Sequence, residues 1–212
     1  LIELQKKFEL KLGIELKKIN DLFVDVQSKN TFEYYGLDAS LAPIPNSNNS
    51  VAKLIEYLGK DNFGSSGTVF FTSILTNIIK RSIRDNKIKS VGFNGVMFSL
   101  MEDDIMVIRN NQRLYSLESL MLYSTVCGCG VDMVPIPGNI LKEELSAIIQ
   151  DVASLSLNLK KPLGVRLLPI SNKFENEITN FNHDFIIDTR ITSIKNTALN
   201  ISNSNTKDYF SF

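Results

Sequence analysis

Ser124-Thr-Val-Cys127-Gly-Cys129-Gly-Val-Asp132-Met-Val-Pro-Ile-Pro-Gly138 is the stretch on which the reading of this chain turns. It holds both cysteines. It reads as the end of a helix, a tight glycine loop, a short buried strand over 131–134 and a Pro-Gly turn. A junction of that kind places a thiol and a carboxylate at the mouth of an α/β sheet.

Downstream, residues 142–159 repeat apolar side chains at helical spacing, with Leu145, Ile148, Ile149, Val152 and Leu155 inward. Lys160-Lys-Pro162 is a turn. Leu163-Gly-Val-Arg-Leu-Leu-Pro-Ile170 is then the last clear core strand. Arg166 within it is costly unless it is paired or faces a cavity, and Asp132 is a candidate partner. Upstream, Ser116 caps a helix from Leu117 to about Thr125, and Asp104 caps a shorter one over 105–110. Before them, Val91-Gly-Phe-Asn-Gly-Val-Met-Phe-Ser-Leu100 is a buried strand with internal glycines, running into Met101-Glu102-Asp103-Asp104. Strand C-terminal ends are where sites gather in α/β folds. Glu102 and Asp103 there suit cation binding or acid–base work.

Nearer the start, Phe63-Gly-Ser-Ser-Gly67-Thr68 opens onto a strong helix bearing Phe71, Ile74, Leu75, Ile78 and Ile79 on one face. The Gly67–Thr68 end either receives an anion or is a cap built of small residues. No Gly-Lys-Ser/Thr follows, so it is not a nucleotide phosphate loop. Ser50 caps a helix over 51–58, and Gly59 ends it. Tyr34-Tyr-Gly-Leu-Asp38-Ala-Ser40-Leu-Ala-Pro43 alternates as a strand. Its Asp38 and Ser40 share a face that meets either a cavity or water. Leu1 to Leu12 is an amphipathic helix stopped by Gly13, and 14–26 is either strand or helix. Residues 185–194 add one more strand. Residues 196–212 form an Asn/Ser-rich tail with disorder as the default.

The order of elements predicts an α/β fold: a largely parallel, curved or barrel-like sheet with flanking helices, as one domain over 1–195. A length of 212 residues suffices for one sizeable core. Lys plus Arg and Asp plus Glu balance at 23 each, which argues against nucleic acid or an anionic membrane surface as partner. No apolar run approaches the roughly 20 residues of a membrane span. Two thiols make no secreted disulfide framework. Because a bridge at their spacing is strained, they read as free thiols in a reducing, cytoplasmic setting. A single histidine, His183, removes any multi-histidine metal site. The start at Leu1, already inside an amphipathic pattern, is expected of a fragment or a processed product.

The runs Tyr-Gly-Leu-Asp-Ala-Ser-Leu-Ala-Pro, Gly-Ser-Ser-Gly-Thr, Gly-Phe-Asn-Gly-Val-Met with Met-Glu-Asp-Asp, Val-Cys-Gly-Cys-Gly-Val-Asp-Met-Val-Pro-Ile-Pro-Gly and Lys-Pro-Leu-Gly-Val-Arg-Leu-Leu-Pro occur in this order from about Tyr35 to Pro169. The set resembles the domain of unknown function 711 family, often labelled "PFL family protein". The resemblance implies a barrel-like fold related to pyruvate formate-lyase and other glycyl radical enzymes. It also implies members longer at the N-terminus, and a possible ACT-domain partner or homo-oligomer. It names no cofactor. It matches Cys127 to the family's cysteine, Asp132 to its following acid, Glu102 and Asp103 to its acidic pair and Arg166 to its arginine, with Cys129 at a variable position. The family continues after the proline with Pro-Gly-Lys, whereas Ser171-Asn172-Lys173 stands here, which puts a substrate-loop role for that segment in doubt. No glycyl-radical loop is present in the chain.

Three functions follow as expectations. In the first, an enzyme acts on a small carboxylate or amino-acid-like metabolite: Cys127 is nucleophile or hydrogen-atom donor, Asp132 and Glu102 are acid and base, and Arg166 holds a carboxylate. Asp38, Ser40, Gly67, Thr68 and Asp103 complete the substrate contacts. In the second, the same residues bind a metabolite without catalysis. In the third, the chain is an inactive remnant of a longer enzyme.

Overall fold

The computed structural model describes residues 2–46 and 48–195. The expected 196–212 tail lies outside the described residues. Six helices and one regular sheet are present among them: α1 (Ile2–Ser28), α2 (Val51–Gly59), α3 (Thr68–Asp85), α4 (Asp104–Asn111), α5 (Leu117–Ser124), β1 (Gly130–Pro137), α6 (Lys142–Leu159) and β2 (Gly164–Ile170). No described helix is long and apolar enough to cross a membrane.

β1 and β2 run parallel, with Gly130 opposite Gly164 and Pro137 opposite Ile170. α6 makes the crossover between them, as a parallel pair requires. Isolated parallel bridges continue the ladder sideways: Ser99 to Asp132, Leu41 to Val96 and Leu37 to Ser90. Four extended segments therefore lie side by side in chain order. The array is open, and it does not close into the expected barrel.

Two of the expected strands are thus only bridged ribbons. The segment over 91–100 is broken by Gly92 and Asn94, both at positive φ (75° and 50°), which fold it into a turn. The segment after Tyr34 stops at Pro43, which donates nothing to a ladder. Residues 185–194 likewise hold single antiparallel bridges, Ile178 to Arg190 and His183 to Ile186, and no regular strand.

The N-terminal expectation also needs correcting. Gly13 does not stop a helix; α1 runs through it to Ser28, which resolves 14–26 as helix. Gly13 is buried against α3's C-cap: a Cβ there would meet Asn86 Nδ2 at 2.3 Å. The glycine lets two helices approach, and Arg81 of α3 closes the contact with an ion pair to Glu9 at 2.9 Å.

The core centres on Phe63, fully buried just ahead of the Gly/Ser loop. Phe98, Tyr115 and Tyr123 meet it edge to face, with ring centroids 5.1, 5.4 and 5.5 Å away. α2, α4 and α5 thereby share one apolar centre with the 90–99 ribbon and β1. Arg109 of α4 also grips Glu56 of α2 with two hydrogen bonds, at 2.7 and 3.0 Å.

Candidate functional site

The 3-10 turn at Leu100–Glu102 follows the Ser99 bridge to Asp132, and Asp132 and Arg166 are each the third residue of their strands, so the turn meets the starts of β1 and β2. Each supplies one charged side chain there. Arg166 of β2 makes a bidentate pair with Asp132 of β1, Nε to Oδ1 at 2.5 Å and Nη2 to Oδ2 at 2.9 Å. Its Nη2 lies 3.6 Å from Glu102 Oε1. The Asp132 hydrogen bond raises the Arg166 pKa further above its ordinary value. The arginine side chain is 50% exposed, against 14% for Asp132 and 32% for Glu102, so the cluster sits at a surface. One guanidinium facing two carboxylates leaves a net charge of −1 if all three groups are ionised.

The backbone is deformed at this point. The β1–β2 register shifts between Val131 and Val134, and Met133 adopts φ 51°. Positive φ in a buried methionine costs of order 1 kcal/mol or more. The bulge turns Asp132 toward Arg166 while Val131 and Met133 stay in the core. Ser99, the bridge partner of Asp132, is buried, and its hydroxyl has no hydrogen-bond partner among the described residues.

Both cysteines are free and buried, Cys127 at 1% exposure and Cys129 at 5%. Their sulfurs lie 4.0 and 3.7 Å from the Gly130 carbonyl oxygen. The loop sits directly on the 90–99 ribbon. A Cβ on Gly128 would meet Gly95 Cα and Val96 O at 3.1 Å each, so two glycines face each other backbone to backbone. The Lys161 ammonium, half-buried, donates to Ser124 O at 2.7 Å and to the Cys127 carbonyl. Burial lowers the lysine pKa. The Cys129 thiol, the Gly130 backbone and Lys161 together outweigh burial and lower Cys127 to about 6. Cys129 is pushed the other way, first by Cys127 and then by burial. The charge of Asp132 also raises the Cys129 pKa, though less than Cys127 and burial do.

The other expected site residues lie elsewhere or are already engaged. Asp103 is completely buried. Its Oδ1 accepts from the Ser50 hydroxyl (2.6 Å) and the Ile105 and Met106 amides (3.0 and 3.1 Å). Its Oδ2 accepts from the Val51 and Ala52 amides (2.8 and 3.0 Å). It caps α4, the part expected of Asp104, and satisfies the start of α2 as well. Asp38 accepts from the Ser40 amide and hydroxyl and from the Phe93 and Asn94 amides. Burial pushes its pKa up, but these donors outweigh burial and leave it below the ordinary range. Asp38 precedes Leu41, whose bridge to Val96 lies before the Ser99–Asp132 bridge, so Asp38 and Ser40 sit earlier along the ladder than the cluster. Gly67 is the N-cap of α3 at φ 105°. The Thr68 hydroxyl accepts from the Gly64 amide (3.1 Å) and donates to Ser65 O (2.8 Å) inside its own loop. Glu102, Asp132 and Arg166 are brought together; Asp38, Ser40, Gly67, Thr68 and Asp103 do not join them.

Lys161, Ser99 and the Met133 bulge escaped sequence reasoning. Lys161 sits in a Lys-Lys-Pro turn that reads as solvated, and nothing in Asp-Met-Val announces a left-handed methionine. Among the described residues no group of three or more His, Cys, Asp or Glu side chains is placed to hold a metal ion.

A parallel α/β array carrying a carboxylate–guanidinium cluster near the starts of its two strands is the class of protein that fold and site define. The family described as "Uncharacterised ACR (DUF711)" matches residues 4–189, and the chain belongs to that family. A UPF0210 protein of Pyrobaculum arsenaticum is 34% identical over 134 residues, 63% of this chain and 30% of the relative. A UPF0210 protein of Clostridium perfringens is 28% identical over 172 residues, 81% of this chain and 38% of the relative. The chain thus spans about a third of the length of the curated relatives it matches.

Proposed function

We propose that Glu102, Asp132 and Arg166 form the polar end of a binding site for a small zwitterionic, amino-acid-like metabolite. The observation that carries the reading is one guanidinium set against two carboxylates where the 3-10 turn meets the starts of β1 and β2. Asp132 occupies Nε and Nη2 of Arg166, and Nη1 has no partner among the described residues. A ligand carboxylate fits Nη1, and a ligand ammonium fits Glu102. With the local charge at −1, a bare carboxylate is a poorer match than a molecule that brings its own cation. The longer relatives motivate the rest of the reading. Their additional chain would extend the open parallel array, as an arc of the barrel-like fold, and wall the half-exposed site. An ACT-domain protein or a second copy is a partner to test with them. Two reduced thiols suit a cytoplasmic setting.

A second reading makes the site catalytic through Cys127, and the lowering of that thiol to about 6 supports it. Its burial at 1% favours binding over nucleophilic attack on a metabolite.

Isothermal titration of the chain with amino acids, matched amines and matched carboxylates tests the proposal. Amino acids should bind at least about tenfold more tightly than either half-ligand, the weight of one charge-assisted contact. Arg166→Gln and Glu102→Gln should each remove that preference. Equal binding of amino acid and simple carboxylate, or a preference that survives Arg166→Gln, sinks it.

A further inference from the structure

The Cys127–Gly128–Cys129 bend carries a chemistry that ligand binding does not use. Two thiols are held in one bend over residues 127–129, and both sulfurs converge on a single carbonyl oxygen, that of Gly130, at 4.0 and 3.7 Å. Gly128 between them has no side chain to resist tighter closure. Lys161 fixes the loop from below through Ser124 O and the Cys127 carbonyl, and sets a positive charge beside Cys127. The Asp132 charge raises the Cys129 pKa, and the Lys80 charge adds to burial in lowering that of Lys161. The pair is asymmetric: the Cys129 thiol and Lys161 lower the Cys127 pKa, and Cys127 and burial raise that of Cys129. That is the division of labour in reversible dithiol chemistry. Burial of both sulfurs disfavours bulky electrophiles and favours a small oxidant.

We propose that Cys127 and Cys129 are a redox pair that closes to an intramolecular disulfide with a small peroxide and is reopened by a dithiol. The Cys127 thiolate attacks one peroxide oxygen. The O–O bond breaks, hydroxide leaves and takes up a proton, and Cys127 becomes a sulfenic acid. The Cys129 thiol loses its proton and attacks the Cys127 sulfur. The S–O bond breaks and water departs. In total two thiols are oxidised, one peroxide is reduced and two waters form. A bridge across one intervening residue is strained. Strain raises its reduction potential and makes it labile, which suits a switch and not a structural staple. Because Cys129 immediately precedes Gly130, the first residue of β1, closure pulls on the start of that strand.

The test reads thiols and not ligand. The chain is exposed to hydrogen peroxide near neutral pH, denatured in N-ethylmaleimide and weighed by intact mass spectrometry. The expected product is a monomer lighter by two hydrogens with no maleimide adduct, and dithiothreitol should restore two adducts. Cys129→Ser should stop at a Cys127 sulfenic acid captured by dimedone. Cys127→Ser should react at least about tenfold more slowly, since the thiolate is the attacking species. Two adducts retained after peroxide, a bridge between chains, terminal over-oxidation of Cys127, or equal rates for the two variants each overturn the proposal. These outcomes do not depend on whether an amino acid binds at Arg166.

Discussion

At the scale of single residues, two carboxylates, the buried Asp103 and the partly buried Glu56, hold α2 to α4, and each makes a prediction. Asp103 accepts five hydrogen bonds from the starts of the two helices. Losing one cap costs about 0.5–2 kcal/mol, so Asp103→Ala should lose roughly 1–4 kcal/mol in urea unfolding. Glu102→Ala next door, on a partly exposed side chain, should lose under about 1 kcal/mol. Glu56 gives the pH dependence. Burial pushes its pKa up, but the Arg109 guanidinium and the Phe63 amide outweigh burial and leave it below the ordinary 4.5. A lowered folded-state pKa stabilises at pH values above the unfolded one, and that contribution disappears as pH falls through the folded value. Glu56→Gln should therefore be less stable than the parent at neutral pH. The difference should shrink below about pH 4, where the unfolded-state carboxylate titrates. A gap that stays constant from pH 7 to 3 contradicts this account.

At the scale of elements, the cysteine loop is locked to the 90–99 ribbon by two glycines. Gly128→Ala would put a methyl group 3.1 Å from backbone atoms that have no rotamer to change. Overpacking of that kind costs typically 1–3 kcal/mol, and the loop or the ribbon must shift. The expected result is a lowered urea midpoint together with faster maleimide labelling of Cys127 in the native state. Unchanged labelling would mean the loop does not depend on that contact. Elements were also the scale at which sequence reading worked best. Ser50 and Ser116 identified two helix starts, and the spacing of Leu75, Ile78 and Ile79 identified α3. The Arg166–Asp132 pair was legible because an arginine in an apolar strand demands a partner. Gly13 misled because a helical glycine serves equally as a stop or as a place of close approach, and only the partner helix decides. Asp103 and Asp104 were exchanged because either is a good cap, and the choice rests on Ser50, more than fifty positions away.

At the scale of the whole molecule, the parallel order was legible from alternating strands and helices, while its extent was not. Apolar runs with internal glycine and asparagine satisfy a strand pattern, and in three dimensions they give single bridges separated by turns. The outer edge of β2 follows from the same architecture. Gly164 donates inward to Cys129 O, so by alternation the Val165 amide points outward. Hydrogen exchange should be fast at Val165 and slow at its inward neighbours in this chain. Protection at Val165 would show that the edge is covered, by another segment or a second copy. An uncovered parallel edge is a template for strand addition, which agrees with relatives roughly three times as long.

Asp103 also bears on the order of folding. In polymer terms it is a non-covalent cross-link between positions 53 apart. Closing a loop of that size costs on the order of 3–4 kcal/mol of chain entropy, and α3 lies within it. The carboxylate therefore seats late. Asp103→Ala should speed unfolding and leave refolding almost unchanged, a φ-value near zero. The first turns of α2 and α4 then lock in one event, and each helix completes only when the other does.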